Sequence, residues 1–150
     1  MRSAPAVWHN QAILYEADFF LNGNLRELER LAEEIGRFCA SHSLGDDVLF
    51  ELNLVLEELF VNTVRHGGCE GLENSARIRL RKTSGVEVEY RDRGEPFDPT
   101  RAEPAAIDAP LEARSAGGLG IHLVRQLMRD VEYRRVEEWN QITMRREEKS

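Results

Sequence analysis

Ala76-Arg77-Ile78-Arg79-Leu80-Arg81 and Val86-Glu87-Val88-Glu89-Tyr90-Arg91-Asp92 alternate apolar and charged side chains at a period of two, with Ser84-Gly85 between them. Successive side chains of a strand point to opposite faces, so this is the pattern of a hairpin with one apolar and one charged face. An apolar sheet face needs a covering layer, and the flanking sequence supplies helices for it. Upstream, Leu28, Leu31, Ala32, Ile35, Phe38 and Cys39 recur at helical spacing after Asn24 and Glu27, which stand at the spacing of a capping box. Beyond Gly45-Asp46-Asp47, the stretch from Asp47 to about His66 carries Val48, Leu52, Val55, Leu56, Leu59 and Phe60. It stops at Gly67-Gly68, where glycine tolerates the left-handed cap conformation.

Near the start, Ile13, Tyr15, Ala17 and Phe19 alternate like a half-buried strand, after a loose beginning over residues 1–10. Leu119 to Arg129 reads as a short helix opened by glycines, and Val131–Val136 with Gln141–Arg145 as a closing pair of strands. The order strand, helix, helix, two strands, long loop, helix, two strands predicts an α+β two-layer sandwich. Its sheet is expected to be mixed and mostly antiparallel, with the helices on one face.

The 150 residues suit one domain over 1–150, and 41% hydrophobic with 31% charged residues is a globular composition. The net charge is 20 − 27 = −7 with both signs interleaved, so no basic stripe is available to neutralise a run of phosphates, and nucleic acid is not expected as a partner. Cys39 and Cys69 form no CxxC and no paired histidine spacing, which suits a reduced cytoplasmic protein without a zinc site. No signal-like start and no run of roughly 20 apolar residues is present, so no membrane partner is expected.

Three places carry chemistry. Glu58 and Asn62, four apart, share one helical face, where an amide oxygen suits Mg²⁺ and a carboxylate can accept a hydroxyl proton; the same spacing also describes two side chains facing solvent. His66 lies one turn further on, lining the same face or, as a lone histidine near a helix end, capping carbonyls or packing. Asp92 shares the inward phase of Val86, Val88 and Tyr90, where a carboxylate needs a donor such as a purine amine; alternatively it starts the turn Asp92-Arg93-Gly94. Gly117-Gly118-Leu119-Gly120 opens a helix, as an anion cradle at the positive end of the helix dipole or as a plain loop.

In this order, Glu58-Leu59-Phe60-Val61-Asn62, Asp92-Arg93-Gly94-Glu95-Pro96-Phe97-Asp98-Pro99 and Gly117-Gly118-Leu119-Gly120 resemble the three nucleotide boxes of the superfamily shared by gyrase, the histidine kinases and MutL. Within it the chain is most similar to the bacterial anti-sigma factor serine/threonine kinases. The run from Glu58 to His66-Gly67 echoes their asparagine box, and Gly118 to Met128 their last glycine box. The resemblance implies a Bergerat-type sandwich holding Mg-ATP under a lid, which the proline-containing loop 93–118 fits. By matched position Glu58 is the general base, Asn62 the Mg²⁺ ligand, Asp92 the adenine-reading carboxylate, Gly94 the close approach to the purine, and Gly117, Gly118 and Gly120 with Leu119 the phosphate cradle. His66 is carried along on the nucleotide side. Family membership further implies an anti-anti-sigma factor as phosphoacceptor, a sigma factor as the sequestered partner, and a homodimer.

The chain departs from the superfamily at Pro96, where a second glycine is common, and at Trp139-Asn140-Gln141-Ile142-Thr143, where many relatives have Gly-Thr. Two functions share the Asp92 and glycine boxes: a partner-switching kinase, which requires Glu58, and a nucleotide-gated binding module, which does not. ATP hydrolysis with the same base activating water is the third.

Overall fold

The computed structural model describes residues 15–101 and 118–148, with 118–121 described by backbone alone. Strand β1 (Ala17–Leu21) leads to helices α1 (Glu27–Ser41) and α2 (Asp46–His66), then to the hairpin β2 (Ala76–Lys82) and β3 (Val86–Asp92). A short 3-10 turn at Pro99–Arg101 precedes the undescribed residues, after which come α3 (Gly118–Leu127), β4 (Arg129–Val136) and β5 (Trp139–Arg146). The strands form one sheet in the order β1-β2-β3-β5-β4, and every pairing is antiparallel. The α+β sandwich is as expected, but the sheet is not mixed, because each neighbouring pair runs in opposite directions.

Register explains the core. Ile78 faces Tyr90 and Leu80 faces Val88 across the hairpin, while Tyr90 faces Ile142 and Val88 faces Met144 on the other side. These apolar positions bury against Leu31 and Ile35 of α1, Leu52, Leu56 and Phe60 of α2, and Val124 and Met128 at α3, in one cluster. Burying each such side chain contributes roughly 1.5–3 kcal/mol, which is why the period-two and helical stripes decide the architecture. Ala32, expected in the α1 stripe, is exposed at its flank.

Local details differ from the expected ones for identifiable reasons. The carbonyl of Asn24 already accepts the Glu27 N–H at 2.9 Å, so its side-chain oxygen takes the Arg26 N–H instead, at 2.8 Å. Glu27 reaches back to the N–H of Asn22 at 2.8 Å, so the reciprocal cap opens earlier than expected. At the end of α2 the left-handed residue is Gly68 (φ 77), whereas Gly67 stays helical (φ −90). Gly67 is required for space, since a Cβ there would stand 2.7 Å from the Thr63 carbonyl oxygen. Strand β4 begins at Arg129, before the expected Val131, with an irregularity at Asp130 (φ 53), a residue type that tolerates the left-handed region.

The charged face of the sheet is not simply solvated. Glu89 is 2% exposed, with its Oε1 held by Arg79 at 2.6 and 2.9 Å and paired with Arg91 at 3.2 Å. Arg81 pairs with Glu87, and Arg77 grips Asp18 with two bonds of 2.9 and 2.8 Å. Long arginine stems cover the strands while their heads neutralise the carboxylates between them. The interleaved charges of the sequence therefore become cross-strand pairs.

Replacing Glu89 by Ala leaves two guanidinium groups without their shared acceptor. The cost expected in urea unfolding is about 2–3 kcal/mol, below the ~3–5 of a wholly buried pair because Arg79 and Arg91 keep 20% and 22% of their exposure.

Candidate functional site

Beside the last turns of α2, a cavity of about 270 Å³ opens between that helix, the ends of β3 and β5, and the segment that follows β3. Leu59, Asn62, Thr63 and His66 recur at helical spacing and form the helix wall. Asp92 and Asn140, register partners on β3 and β5, form the floor with Ile142. Gly94, Pro96 and Phe97 form the rim.

Asp92 is at the centre. Its Oδ2 accepts the Thr63 hydroxyl at 2.9 Å, and its Oδ1 accepts the Gly94 N–H and the Asn140 amide, each at 2.9 Å. Both sequence readings of this residue are therefore realised together: it faces inward, and it also closes the turn to Gly94. A carboxylate offers about four acceptor sites. Three are taken, so one on Oδ2 remains for a donor in the cavity. Behind it, the hydroxyls of Tyr90 and Thr63 lie 2.6 Å apart; the one Thr63 proton is shared between Asp92 and the Leu59 carbonyl at 3.0 Å, so Tyr90 donates to Thr63. Burial first, and then the negative charge of Asp92, push the Tyr90 phenol well above its ordinary range. The same two causes, in the same order, raise the Cys69 thiol.

Asn62 and His66 line the cavity, and among the described residues no hydrogen bond occupies either side chain, so the amide oxygen and the imidazole are free for a ligand. Glu58, one turn earlier, is half-buried and lies outside the cavity wall, while Glu57 is exposed. Gly94 is dictated by space: a Cβ would stand 3.0 Å from Asp92 Oδ1 and 3.1 Å from the Gly67 carbonyl oxygen, so a larger residue would push this turn off the end of α2. Gly118, Leu119 and Gly120 form the first turn of α3, and Gly117 lies outside the described residues.

The segment assigned to a lid divides. Its first part is anchored: Arg135 donates to the Gly94 carbonyl at 2.8 Å, and Arg125 of α3 donates to that of Thr100 at 2.7 Å. Residues 102–117 lie outside the described ones. Sequence reasoning missed Thr63 and Asn140 as site residues. A hydroxyl in the buried stripe of α2 was a legible signal for Thr63; Asn140 carried none, because its position opposite Asp92 depends on the β3–β5 register.

Residues 21–146 match the family described as histidine kinase-like ATPase domain. The chain belongs to that family. This histidine kinase-like ATPase domain is 31% identical over 96 residues to the serine/threonine-protein kinase BtrW of Bordetella bronchiseptica, covering 63% of this chain and 68% of the relative. Its fold is similar to part of the solved structure of the RsbU and RsbW domains of Rv1364c from Mycobacterium tuberculosis, with a TM-score of 0.63 at 11% identity. That match covers 87% of this chain but only 31% of the mycobacterial one. The resemblance carried by the three boxes thus holds at the level of the family, which is one of ATPase domains with kinase members.

The Tyr90 phenol supplies a check on the site's interior. Unfolded, it ionises near its ordinary value of 10.0; folded, it holds its proton above that. The unfolded chain then binds fewer protons than the folded one, so stability is whole below about pH 10 and falls as pH rises past it. Tyr90→Phe is expected to cost about 1 kcal/mol near neutral pH and to make the alkaline fall shallower, as read from urea unfolding across the pH series. Part of the fall persists, because burial also raises Tyr15 and both thiols.

Proposed function

We propose that this domain is an anti-sigma factor-type serine/threonine kinase that binds Mg-ATP, phosphorylates an anti-anti-sigma partner and otherwise sequesters a sigma factor, acting as a homodimer. The observation that carries the nucleotide part is the Asp92 floor: one carboxylate acceptor, on Oδ2, left free at a cavity that Asn62, His66 and Gly94 also line. That donor set fits the amino edge of adenine. The cavity is just below the usual small-molecule range of roughly 300–1,000 Å³, enough for the base end of a nucleotide. The kinase part is supported by the named activity of the Bordetella relative.

In this reading Asp92 orients the base, and the amide oxygen of Asn62, which lines the cavity, would hold the cation. Mg²⁺, when bound, neutralises charge on the transferring phosphoryl group. Glu58 would take the proton of the serine hydroxyl as that oxygen bonds the γ-phosphorus and ADP leaves, and the backbone of Gly118, Leu119 and Gly120 in the first turn of α3, joined by Gly117 on its matched position, would hold the phosphates with His66 beside them. One observation favours a second reading, a nucleotide-gated binding module: Glu58 lies outside the cavity wall.

Asp92→Asn is expected to weaken ATP about tenfold to hundredfold, the loss of a charged acceptor, with little change in thermal stability. Calorimetry with equal ATP affinity for both proteins would overturn the assignment.

Glu58→Gln separates the two readings. It is expected to lower phosphoryl transfer to a co-encoded partner by about 10²–10⁴-fold with Mg-ATP binding nearly intact, whereas Asn62→Ala lowers binding and transfer together. Transfer that survives Glu58→Gln but not Glu57→Gln reassigns the base. ATP binding without transfer by the parent makes the binding module the better account.

A further inference from the structure

Asn140 has no part in the mechanism above, yet it is the most heavily bonded side chain at the site. It is 5% exposed and stands directly across the β3–β5 ladder from Asp92. Its Nδ2 donates to Asp92 Oδ1 at 2.9 Å, to the Glu95 carbonyl at 2.9 Å and to the Gly94 carbonyl at 3.3 Å. Its Oδ1 accepts the Phe97 N–H at 3.2 Å and the Tyr133 hydroxyl at 2.6 Å. The orientation of the amide is unambiguous: the neighbours of Nδ2 all accept, and the Phe97 N–H can only donate.

Two consequences follow from that one amide. First, Asn140 and the Gly94 N–H together saturate Oδ1 of Asp92, so the carboxylate cannot rotate and only Oδ2 offers an acceptor to the cavity. Second, the same side chain fastens the backbone at Gly94, Glu95 and Phe97, the rim over the base end of the cavity. Neither aspartate nor serine meets both demands. Aspartate would face the Asp92 carboxylate and two carbonyls with acceptors, and serine is too short to bridge floor and rim.

The geometry points to Asn140 as the positioning residue that sets discrimination for a purine bearing an exocyclic amine, by locking Asp92 and latching the rim with one amide group. This rests on the nucleotide reading above. Merely structural residues change the affinity of all purine nucleotides together; a residue that fixes the Asp92 acceptor changes the preference between them.

The test compares ATP with inosine triphosphate, which carries a carbonyl in place of the amine, by calorimetry on the full chain. The parent is expected to prefer ATP by about tenfold or more, the worth of a hydrogen bond to a charged acceptor. Asn140→Asp and Asn140→Ser are expected to reduce that preference below about threefold, and to speed hydrogen exchange at the Gly94 and Phe97 amides without nucleotide. Tyr133→Phe removes only the hydroxyl that Asn140 accepts, and is expected to reduce the preference by about twofold or more, which decides the matter where the Asn140 variants fail to fold. A parental preference that is unchanged in the folded variants overturns the role of Asn140 while leaving the nucleotide site standing. A parent that binds neither triphosphate overturns the nucleotide reading itself, and the proposal with it.

Discussion

The Asp92 carboxylate is held from three directions: by a hydroxyl on α2, by the N–H of its own turn, and by an amide on β5. A charge at the end of a central strand is costly to bury unless it is bonded, and these three donors are the condition on which it can stay there ionised. The same bonds join the helix layer to the sheet and the sheet to the segment that leaves it. Thr63 is in turn backed by Tyr90, so the polar chain runs from the apolar core to the cavity without leaving the Asp92 side chain loose. The Leu59 carbonyl stands within reach of both hydroxyls, at 3.0 Å from Thr63 and 3.3 Å from Tyr90, so the network is anchored to the backbone of α2 as well.

The rest of the sheet is arranged so that β3 can be central. On one side it carries Val88 and Tyr90 into the core; on the other it carries Glu87 and Glu89, two carboxylates that a central strand would ordinarily exclude. Arginines from β2 and β3 itself neutralise them. At the opposite end of the sheet Arg146, 3% exposed, bonds Glu51 at 2.9 Å and ties the last strand to the early turns of α2. Helix α2 is thus fixed to the sheet near both of its ends, by Arg146 and by Thr63. Asn62 and His66 are displayed from that fixed helix.

The two ends of the site differ in how much the chain itself prepares them. The base-binding end has its acceptor locked and its rim bonded down through Gly94, Phe97 and Thr100. The helix wall offers Asn62 and His66, to which no hydrogen bond is made among the described residues, with Glu58 one turn beyond the wall. In the proposed kinase reading, a site of this form recognises its nucleotide by preorganisation and leaves the reacting groups to be completed by the cation and by a partner's hydroxyl.

Much of this was written locally. Alternation over Ala76–Asp92 determined the hairpin and its apolar face, helical spacing determined α1 and α2, and the phase of Val86, Val88 and Tyr90 placed Asp92 inward, because each rests on a geometric period that neighbouring residues alone set. The boxes around Glu58, Asp92 and Gly118 marked the family for the same reason. The tertiary structure decided what depends on residues distant in sequence. The antiparallel order of the strands set the β3–β5 register, and that register brought Asn140 against Asp92. Contacts between Thr63 and β3, and between buried carboxylates and the arginines of neighbouring strands, came from packing two layers together. Which acceptor of Asp92 remains free was therefore fixed by side chains 29 and 48 positions away along the chain, since a hydrogen bond depends on proximity in space and no local pattern records it.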